Sequence, residues 1–237
     1  MEIFISWQSN KKHIWFWGIL YLFSLLFVYE SGSVAAYLIT IFLTGLVLAG
    51  LVWLRFKEQI HKSHYLIFIL LVLIVVFIMF LNLNHLFELF NRNTSLTGRI
   101  PMWSDLFNTY LSKRPIGGYG FNAFWYLPAH QVAMQKAAGY PDPIVISDNG
   151  FIDILINTGF IGLILFFIFY LGTWWRSIKY ASKAKDIKGI FPVTLMAFTL
   201  LANISWSMIF ENESFFMLLM LSILFCISVN RFPQNQS

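Results

Sequence analysis

The side chains best suited to chemistry lie in residues 84–149, a polar segment between long apolar runs. Arg99 carries a guanidinium, which binds phosphate oxygens in pairs. Asp148 carries a carboxylate, which can take a proton from a hydroxyl group. Lys113 and Arg114 supply two further cations that can contact phosphate. Residue type makes these side chains candidates for anion binding and proton transfer, but it does not place them in one site.

Other polar or aromatic side chains are candidates for contacts with a substrate, and each has a structural alternative. Asp153 lies in the first turns of an apolar helix, where an acid is costly and often functional, but a structural hydrogen bond is equally open. Asn149 either orients a substrate or caps that helix, and Asp148 can cap it as well. His130 is the second candidate base. The substrate-binding candidates are Arg114, Lys113, Trp103, Asn149, Asp153, Glu211 and Glu213.

The composition identifies the surroundings of these side chains as a membrane. Of the 237 residues, 58% are hydrophobic and 11% are charged, and the mean hydropathy is +0.69. A soluble core cannot hold this apolar excess, so a soluble enzyme and a disordered protein are excluded. The net charge of +5 does not indicate nucleic-acid binding, because the basic residues are sparse and lie between apolar runs. Cys226 is the single cysteine, which excludes a disulfide framework and a cysteine metal site.

Six apolar runs are candidate transmembrane helices, which need about 20 residues, and the first and sixth runs are shorter than this. The six runs predict an all-α, polytopic integral membrane protein with one large external loop and a retained, uncleaved first span. The expected division is an N-terminal three-helix segment (1–83), the external loop (84–149) and a C-terminal three-helix segment (150–237). The predicted spans are His13–Tyr29, Val34–Leu54, Tyr65–Leu83, Gly150–Trp175, Ile190–Met208 and Phe215–Val229.

The distribution of Lys and Arg predicts the orientation. With a cytoplasmic N-terminus, eleven of these residues face the cytoplasm and five face the opposite side. All five lie in the long loop, where the positive-inside rule is weak. We therefore expect both termini in the cytoplasm and residues 84–149 outside.

The external loop has the composition of a packed segment. Apolar residues from Met102 to Leu111 follow a helical stripe, with Pro101 at its start and Pro115 after its end. We expect this amphipathic helix to rest on the membrane surface. Residues 117–120 contain three glycines, which predict a tight turn or a close backbone approach. Residues 128–147 are expected to form a looser insert that contains a helix.

Three motifs in this order resemble the O-antigen ligase and polysaccharide polymerase family, also called Wzy-type. They are Gly98–Trp103 (GRIPMW), Arg114–Gly120 (RPIGGYG) and Asp148–Leu163 (DNGFIDILINTGFIGL), the last opening the helix after the large loop. Phe210–Ser214 is similar to the short acidic turn before the final span of the family, and Ser31–Ser33 to an earlier turn. The similarity covers about residues 30 to 230 and corresponds to the C-terminal half of family members.

The resemblance implies a glycosyltransferase-like enzyme of the bacterial inner membrane that needs no metal or cofactor. Its donor would be an oligosaccharide linked to undecaprenyl pyrophosphate, with the lipid bilayer and other polysaccharide-assembly proteins as partners and no nucleic acid. A ligase passes the glycan to a lipid A core sugar, and a polymerase to another carrier-linked unit during O-antigen, capsule or exopolysaccharide assembly. In this scheme Arg99 binds the pyrophosphate and Asp148 is the base, so the two catalytic candidates must meet at the outer membrane edge.

The chain departs from the family pattern at two positions. The histidine proposed as the base of the family corresponds to Asp148, and an arginine after the earlier turn corresponds to Val34. Members also have nearly twice as many spans. Three interpretations stay open: Asp148 replaces the histidine; the protein is a shortened, non-catalytic accessory protein of polysaccharide assembly; or a longer chain or a second subunit completes it. The missing histidine favours polymerase over ligase.

Overall fold

The computed structural model describes residues 14–56, 98–184, 187–208 and 214–229. Within these ranges the regular elements are helical and no strand occurs, which confirms the all-α prediction. The α-helices are α1 (Ile14–Glu30), α2 (Val34–Phe56), α3 (Arg99–Asp105), α4 (Ala123–Tyr126), α5 (Pro128–Ala138), α6 (Gly150–Lys183), α7 (Phe191–Ser205) and α8 (Phe215–Val229). Leu106–Tyr110 extends α3 as a wide π-helical turn, and Leu111–Lys113 and Ile187–Ile190 are short 3₁₀ helices.

The apolar helices make the chain a polytopic membrane protein. Among the residues that the structure describes, three helical stretches are long and apolar enough to cross a bilayer, namely Val34–Arg55, Gly150–Lys183 and Ile187–Ser205, and α1 and α8 are shorter apolar helices. Five predicted spans therefore coincide with helices, whereas the predicted third span, Tyr65–Leu83, lies outside the described residues. Helix α6 continues to Lys183, beyond the predicted end at Trp175, because no proline or glycine interrupts the intervening residues.

The described residues belong to two compact units, Met1–Thr94 with Ser182–Thr194 and Ser95–Ala181 with Leu195–Ser237. In the first unit, α1 and α2 form a hairpin. The Tyr21 hydroxyl lies 2.8 Å from the Thr44 hydroxyl, and the Tyr37 hydroxyl donates to the carbonyl of Tyr29 at 2.6 Å. Large apolar side chains along α1 remain exposed, as lipid-facing helices require. The division at residues 83 and 149 stays a prediction.

In the second unit, the segment before α6 builds a hydrophobic core together with the start of that helix. Met102 and Leu106 of the predicted stripe are completely buried, and they pack with Phe124, Met134 and Ile156. Protein therefore covers part of the stripe, whereas Phe107 is 40% exposed, and the expectation that this helix rests on the membrane surface stays a prediction. Residues 128–147 are more than a loose insert, since α5 packs on α3 through the buried Met134.

The membrane helices of the second unit enclose a separate core. Ile154, Phe166 and Tyr170 of α6 pack with Met196 of α7 and Met220 of α8. The buried Tyr170 hydroxyl donates to the carbonyl of Met196, so this polar atom is satisfied inside the core. Apolar side chains on another part of α6 are exposed, as for contact with lipid: Ile161, Ile164, Leu165, Ile168 and Leu171.

Helix α6 is broken at Gly159, and the glycine-containing loop fills the break. Gly159 adopts φ 66° and ψ −168°, a conformation essentially restricted to glycine. The amides of Tyr119 and Gly120 donate to the carbonyls of residues 156 and 157 at 3.0 and 2.8 Å. In return, the amides of residues 160 and 161 donate to the carbonyls of residues 115 and 116 at 2.8 and 3.3 Å. Four backbone hydrogen bonds thus join the second and third motifs, and they realise the predicted close backbone approach.

Because of this break, even the addition of one methyl group at Gly159 should destabilise the fold. A Cβ there would overlap the backbone of Ile116 and Gly117, and the backbone conformation itself costs a non-glycine residue about 1–3 kcal/mol. We expect Gly159→Ala to lower the free energy of unfolding by at least about 2 kcal/mol. Thermal unfolding of the purified protein in detergent, followed by tryptophan fluorescence, measures the change.

Gly172→Ala is the matched control, because it lies in the same helix with open space around the added Cβ. We expect its unfolding midpoint to equal or exceed that of the wild type, since alanine favours helix more than glycine does. Equal midpoints for the two variants would contradict the assigned break.

Candidate functional site

The two predicted catalytic side chains meet. Nε of Arg99 donates to Oδ2 of Asp148 at 3.1 Å, across 49 positions of sequence. Their side chains are 24% and 18% exposed, so the ion pair is partly buried but open to solvent on one side. A guanidinium and a carboxylate in this arrangement offer a cation for an anionic ligand and an acceptor for a proton.

Gly98 fixes the start of α3 and thereby the position of Arg99. It precedes the first helical residue with φ 84°, in the left-handed region. A Cβ at this position would overlap the carbonyl of Ala138, at the end of α5. The glycine of the first motif therefore allows α3 to begin against α5, and Arg99 follows immediately.

Asp148 occupies a conformation that few residue types adopt. Its φ is 56°, in the left-handed region, where asparagine, aspartate and histidine are the most enriched non-glycine residues. The family histidine and the aspartate of this chain are therefore both compatible with the backbone at this position. The preference of aspartate and histidine for this conformation becomes relevant only once the backbone at position 148 is known.

Asn149 caps α6. Its Oδ1 accepts hydrogen bonds from the amides of Phe151 at 3.0 Å and Ile152 at 3.2 Å, and its Nδ2 donates to the carbonyl of Ile204 at 3.0 Å. The interpretation of Asp148 as the cap is therefore wrong. Because Asn149 supplies the capping oxygen, the carboxylate of Asp148 is available to Arg99.

Asp153 is buried beneath this turn, with 2% of its surface exposed. Its Oδ1 accepts from Nε1 of Trp125 at 2.9 Å, and its two oxygens lie 3.2 and 3.3 Å from the amide nitrogen of Ser147. The Ser207 side chain also hydrogen-bonds to it. This burial favours the structural alternative for Asp153 over contact with a substrate.

Trp103 also contacts this turn. Its Nε1 donates to the carbonyl of Ser147 at 2.8 Å. The indole N–H of this predicted substrate-binding residue thus donates to the backbone of the segment that presents Asp148. The ring is only partly buried, so its contact with a ligand stays a prediction.

Lys113 and Arg114 are exposed at the other end of the helical segment that begins with Arg99. Fifteen residues at about 1.5 Å each place Lys113 roughly 20 Å from Arg99 along the segment. Nζ of Lys113 lies 5.9 Å from the ring centre of Tyr110, and the Arg114 guanidinium 5.1 Å from that of Tyr119. Both cations are accessible, but they do not share one small anion with Arg99.

The tyrosines below these cations belong to an aromatic cluster with Phe124 and His130. His130 stacks on Phe124 with 4.4 Å between ring centres, and its Nδ1 lies 3.0 Å from the carbonyl of Phe124. Burial and the nearby Asp105 carboxylate raise the pKa of the Tyr110 phenol, which therefore stays neutral at physiological pH. These contacts give His130 a packing role, and it is not among the contacts of the Arg99–Asp148 pair.

Glu211 and Glu213 lie outside the described residues. Within the ranges that the structure covers, no group of three His, Cys, Asp or Glu side chains is arranged to hold a metal ion.

Comparison with known families now assigns the chain. The model of the O-antigen ligase family, Wzy_C, matches residues 19–167, which is more than half of the sequence. The chain belongs to the O-antigen ligase family. Membership supports, in general terms, a membrane function of the O-antigen ligase or polymerase type. No curated protein and no solved structure matches it.

The matched range of this O-antigen ligase family member contains the Arg99–Asp148 pair and all three central motifs. It ends inside α6, so the similarity of residues 210–214 to the acidic turn of the family lies beyond it. Sequence reasoning missed Ser147 and Trp125, whose roles depend on contacts with Asp153 that residue spacing does not reveal. The signal for Trp125 is weak: a tryptophan in a polar loop that must find a partner for its indole N–H.

Proposed function

We propose that this protein transfers a saccharide from an undecaprenyl-pyrophosphate carrier to the hydroxyl of a glycan acceptor, on the outer face of the bacterial inner membrane. The observation that carries the proposal is the Arg99–Asp148 pair at the start of α6. Family membership supports the glycan and the membrane, and the pair supports the chemistry.

Arg99 is suited to the pyrophosphate because the ion pair uses only part of its guanidinium. Asp148 engages Nε, while the two terminal nitrogens form no hydrogen bond with any residue that the structure describes. Those nitrogens are donors in a planar fork, which fits two phosphate oxygens. We assign them to the leaving pyrophosphate, whose charge increases as the glycosidic bond breaks.

Asp148 is suited to the acceptor because Oδ1 is not used by Arg99. In the proposed step the acceptor hydroxyl oxygen bonds to the anomeric carbon of the donor sugar, and the bond from that carbon to the pyrophosphate oxygen breaks. The hydroxyl proton moves to Asp148, and the electron pair leaves with the pyrophosphate next to Arg99. The step requires no metal and no redox cofactor.

The distribution of basic residues supports an external location for this site, with both termini in the cytoplasm. Cysteine labelling tests the orientation: in a Cys226→Ser background, Lys136→Cys should react with a membrane-impermeant maleimide in intact spheroplasts. We favour a polymerase over a ligase, because the position of the family histidine holds Asp148.

The departure at Asp148, together with Val34, also supports a second candidate function, that of a non-catalytic accessory protein in polysaccharide assembly. In that case the Arg99–Asp148 pair is only a structural ion pair. If the protein is an enzyme, single substitutions in the pair abolish transfer although the protein stays folded in the membrane. If it is an accessory protein, such substitutions do not abolish transfer.

Deletion of the gene in its source bacterium tests the proposal. We expect loss of a surface polysaccharide and accumulation of its lipid-linked precursor, both restored by the wild-type gene. The variants Arg99→Ala and Asp148→Asn should reach the membrane without restoring polymer. Full restoration by both variants would rule out the enzymatic proposal and favour the accessory function.

A further inference from the structure

We infer that Asp153 is a positioning residue, which holds Asp148 against Arg99 through the backbone of Ser147. This inference rests on the proposed function, because it assigns a task to the residue beneath the proposed base. It differs from the earlier prediction that Asp153 contacts the substrate.

The peptide groups of Ser147 are held from two sides. Its amide donates to the Asp153 carboxylate, with the two oxygens at 3.2 and 3.3 Å. Its carbonyl accepts from the Trp103 indole at 2.8 Å. Ser147 is itself fully buried. The residue immediately before Asp148 therefore has little freedom to rotate, and we call Trp103, Ser147 and Asp153 the Ser147 clamp.

Two partners of Asp153, the Trp125 indole and the Ser147 amide, can only donate hydrogen bonds, which favours an acceptor at this position. The Trp125 indole, the Ser147 amide and the Ser207 side chain all converge on its carboxylate. Asparagine has nearly the same shape, but its NH₂ group would face one of these donors. Because Asp153 is 2% exposed, water cannot replace a hydrogen bond lost in this way.

The clamp matters because Asp148 is held in the left-handed region at φ 56°. Such a conformation persists only where the surrounding structure fixes it. Asn149 fixes the chain after Asp148, because it caps α6 and donates a hydrogen bond to the carbonyl of Ile204. The Ser147 clamp fixes the chain before Asp148. Without Asp153, the turn can relax to a commoner conformation, and the Asp148 carboxylate then moves away from Nε of Arg99.

Hydrogen exchange on the purified full-length protein tests the clamp without any substrate. We expect Asp153→Asn to speed exchange of the Ser147 amide at least about tenfold, since an NH₂ donor replaces one of the two oxygens that this amide faces, whereas Asp148→Asn leaves that amide protected. Tyr170→Phe is the matched control, because it removes a buried hydrogen bond in the other core of the same unit. It should leave the Ser147 amide unchanged.

Polymer synthesis in the complemented deletion strain tests the consequence. Displacement of a catalytic group by about 1 Å lowers a rate about 100-fold, so Asp153→Asn should lose transfer on that scale while the protein remains in the membrane. Trp103→Phe removes the second side of the clamp without a buried charge change and should show a smaller loss. The double variant Asp153→Asn/Asp148→Asn should be no worse than Asp148→Asn alone, because the two residues act through one group.

Any one of three outcomes overturns the inference. The Ser147 amide of Asp153→Asn could stay protected, or the losses of transfer in the two single variants could multiply in the double variant. The third outcome is full transfer by Asp153→Asn when Asp148→Asn is inactive. The last of these leaves the proposed function intact. Full transfer by Asp148→Asn instead refutes the proposed base, and the positioning role fails with it.

Discussion

Arg99→Ala is expected to lower glycan transfer about 100- to 1000-fold, the scale on which loss of one preorganised charge-stabilising donor slows catalysis. The alanine removes both terminal nitrogens assigned to the pyrophosphate. Arg99→Lys should retain more transfer, because it keeps the charge but loses the planar fork. Radiolabelled sugar incorporation into polymer by membrane vesicles, with equal amounts of each variant, measures the difference.

Fold stability should change little in Arg99→Ala, since partly exposed ion pairs contribute about 0–1 kcal/mol. Lys136→Ala is the control for charge, because it removes an exposed cation from α5 in the same external segment. It should transfer glycan at the wild-type rate. If Arg99→Ala transfers glycan at the wild-type rate, the proposed contact between Arg99 and the pyrophosphate is refuted.

Asp148→Asn is expected to lower transfer about 100- to 10,000-fold, the range for loss of a general base. Asparagine suits this test because it tolerates the left-handed conformation at φ 56°, which alanine does not. Its amide oxygen can still accept the hydrogen bond from Arg99, so the geometry survives and only the proton acceptor is lost. The same vesicle assay applies.

The variant Asp148→His tests whether a different base at this position supports transfer. Histidine is also enriched in the left-handed region, and its imidazole is a base, so transfer should exceed that of Asp148→Asn. Asp142→Asn, in the exposed part of the same segment, is the control for loss of a carboxylate and should behave as the wild type. Equal activity of Asp148→Asn and the wild type would refute a role for Asp148 as base.

The membrane helices were predictable because the length and composition of an apolar run determine whether it forms such a helix. Helix α2 begins at the predicted residue, and α8 has both predicted ends. The end of α6 was not predictable in the same way, because its last two turns are amphipathic and carry lysines that the hydropathy pattern assigns to a loop. The sequence therefore indicates where the chain crosses the membrane more reliably than where a helix stops.

Within the external segment, the sequence predicted elements but not what they face. An apolar stripe from Met102 to Leu111 fits a membrane surface and a protein core equally well, and only the fold shows that Met134 and Ile156 cover part of it. The pairing of Arg99 with Asp148 followed from the motif resemblance, since no local rule joins residues 49 positions apart. The capping role of Asn149 was open because Asp148 has the same capping chemistry.

The exchange of four backbone hydrogen bonds between residues 115–120 and the break at Gly159 has a consequence for protein engineering. Without the glycine-containing loop, the carbonyls of the buried Ile156 and Asn157 would lose these hydrogen bonds, at a cost of about 2–7 kcal/mol for each group that stays unpaired. A chimera that takes its external loop from one homologue must therefore take the first half of the following helix from the same parent. The productive crossover point lies after residue 161, rather than at the boundary between loop and helix that hydropathy suggests.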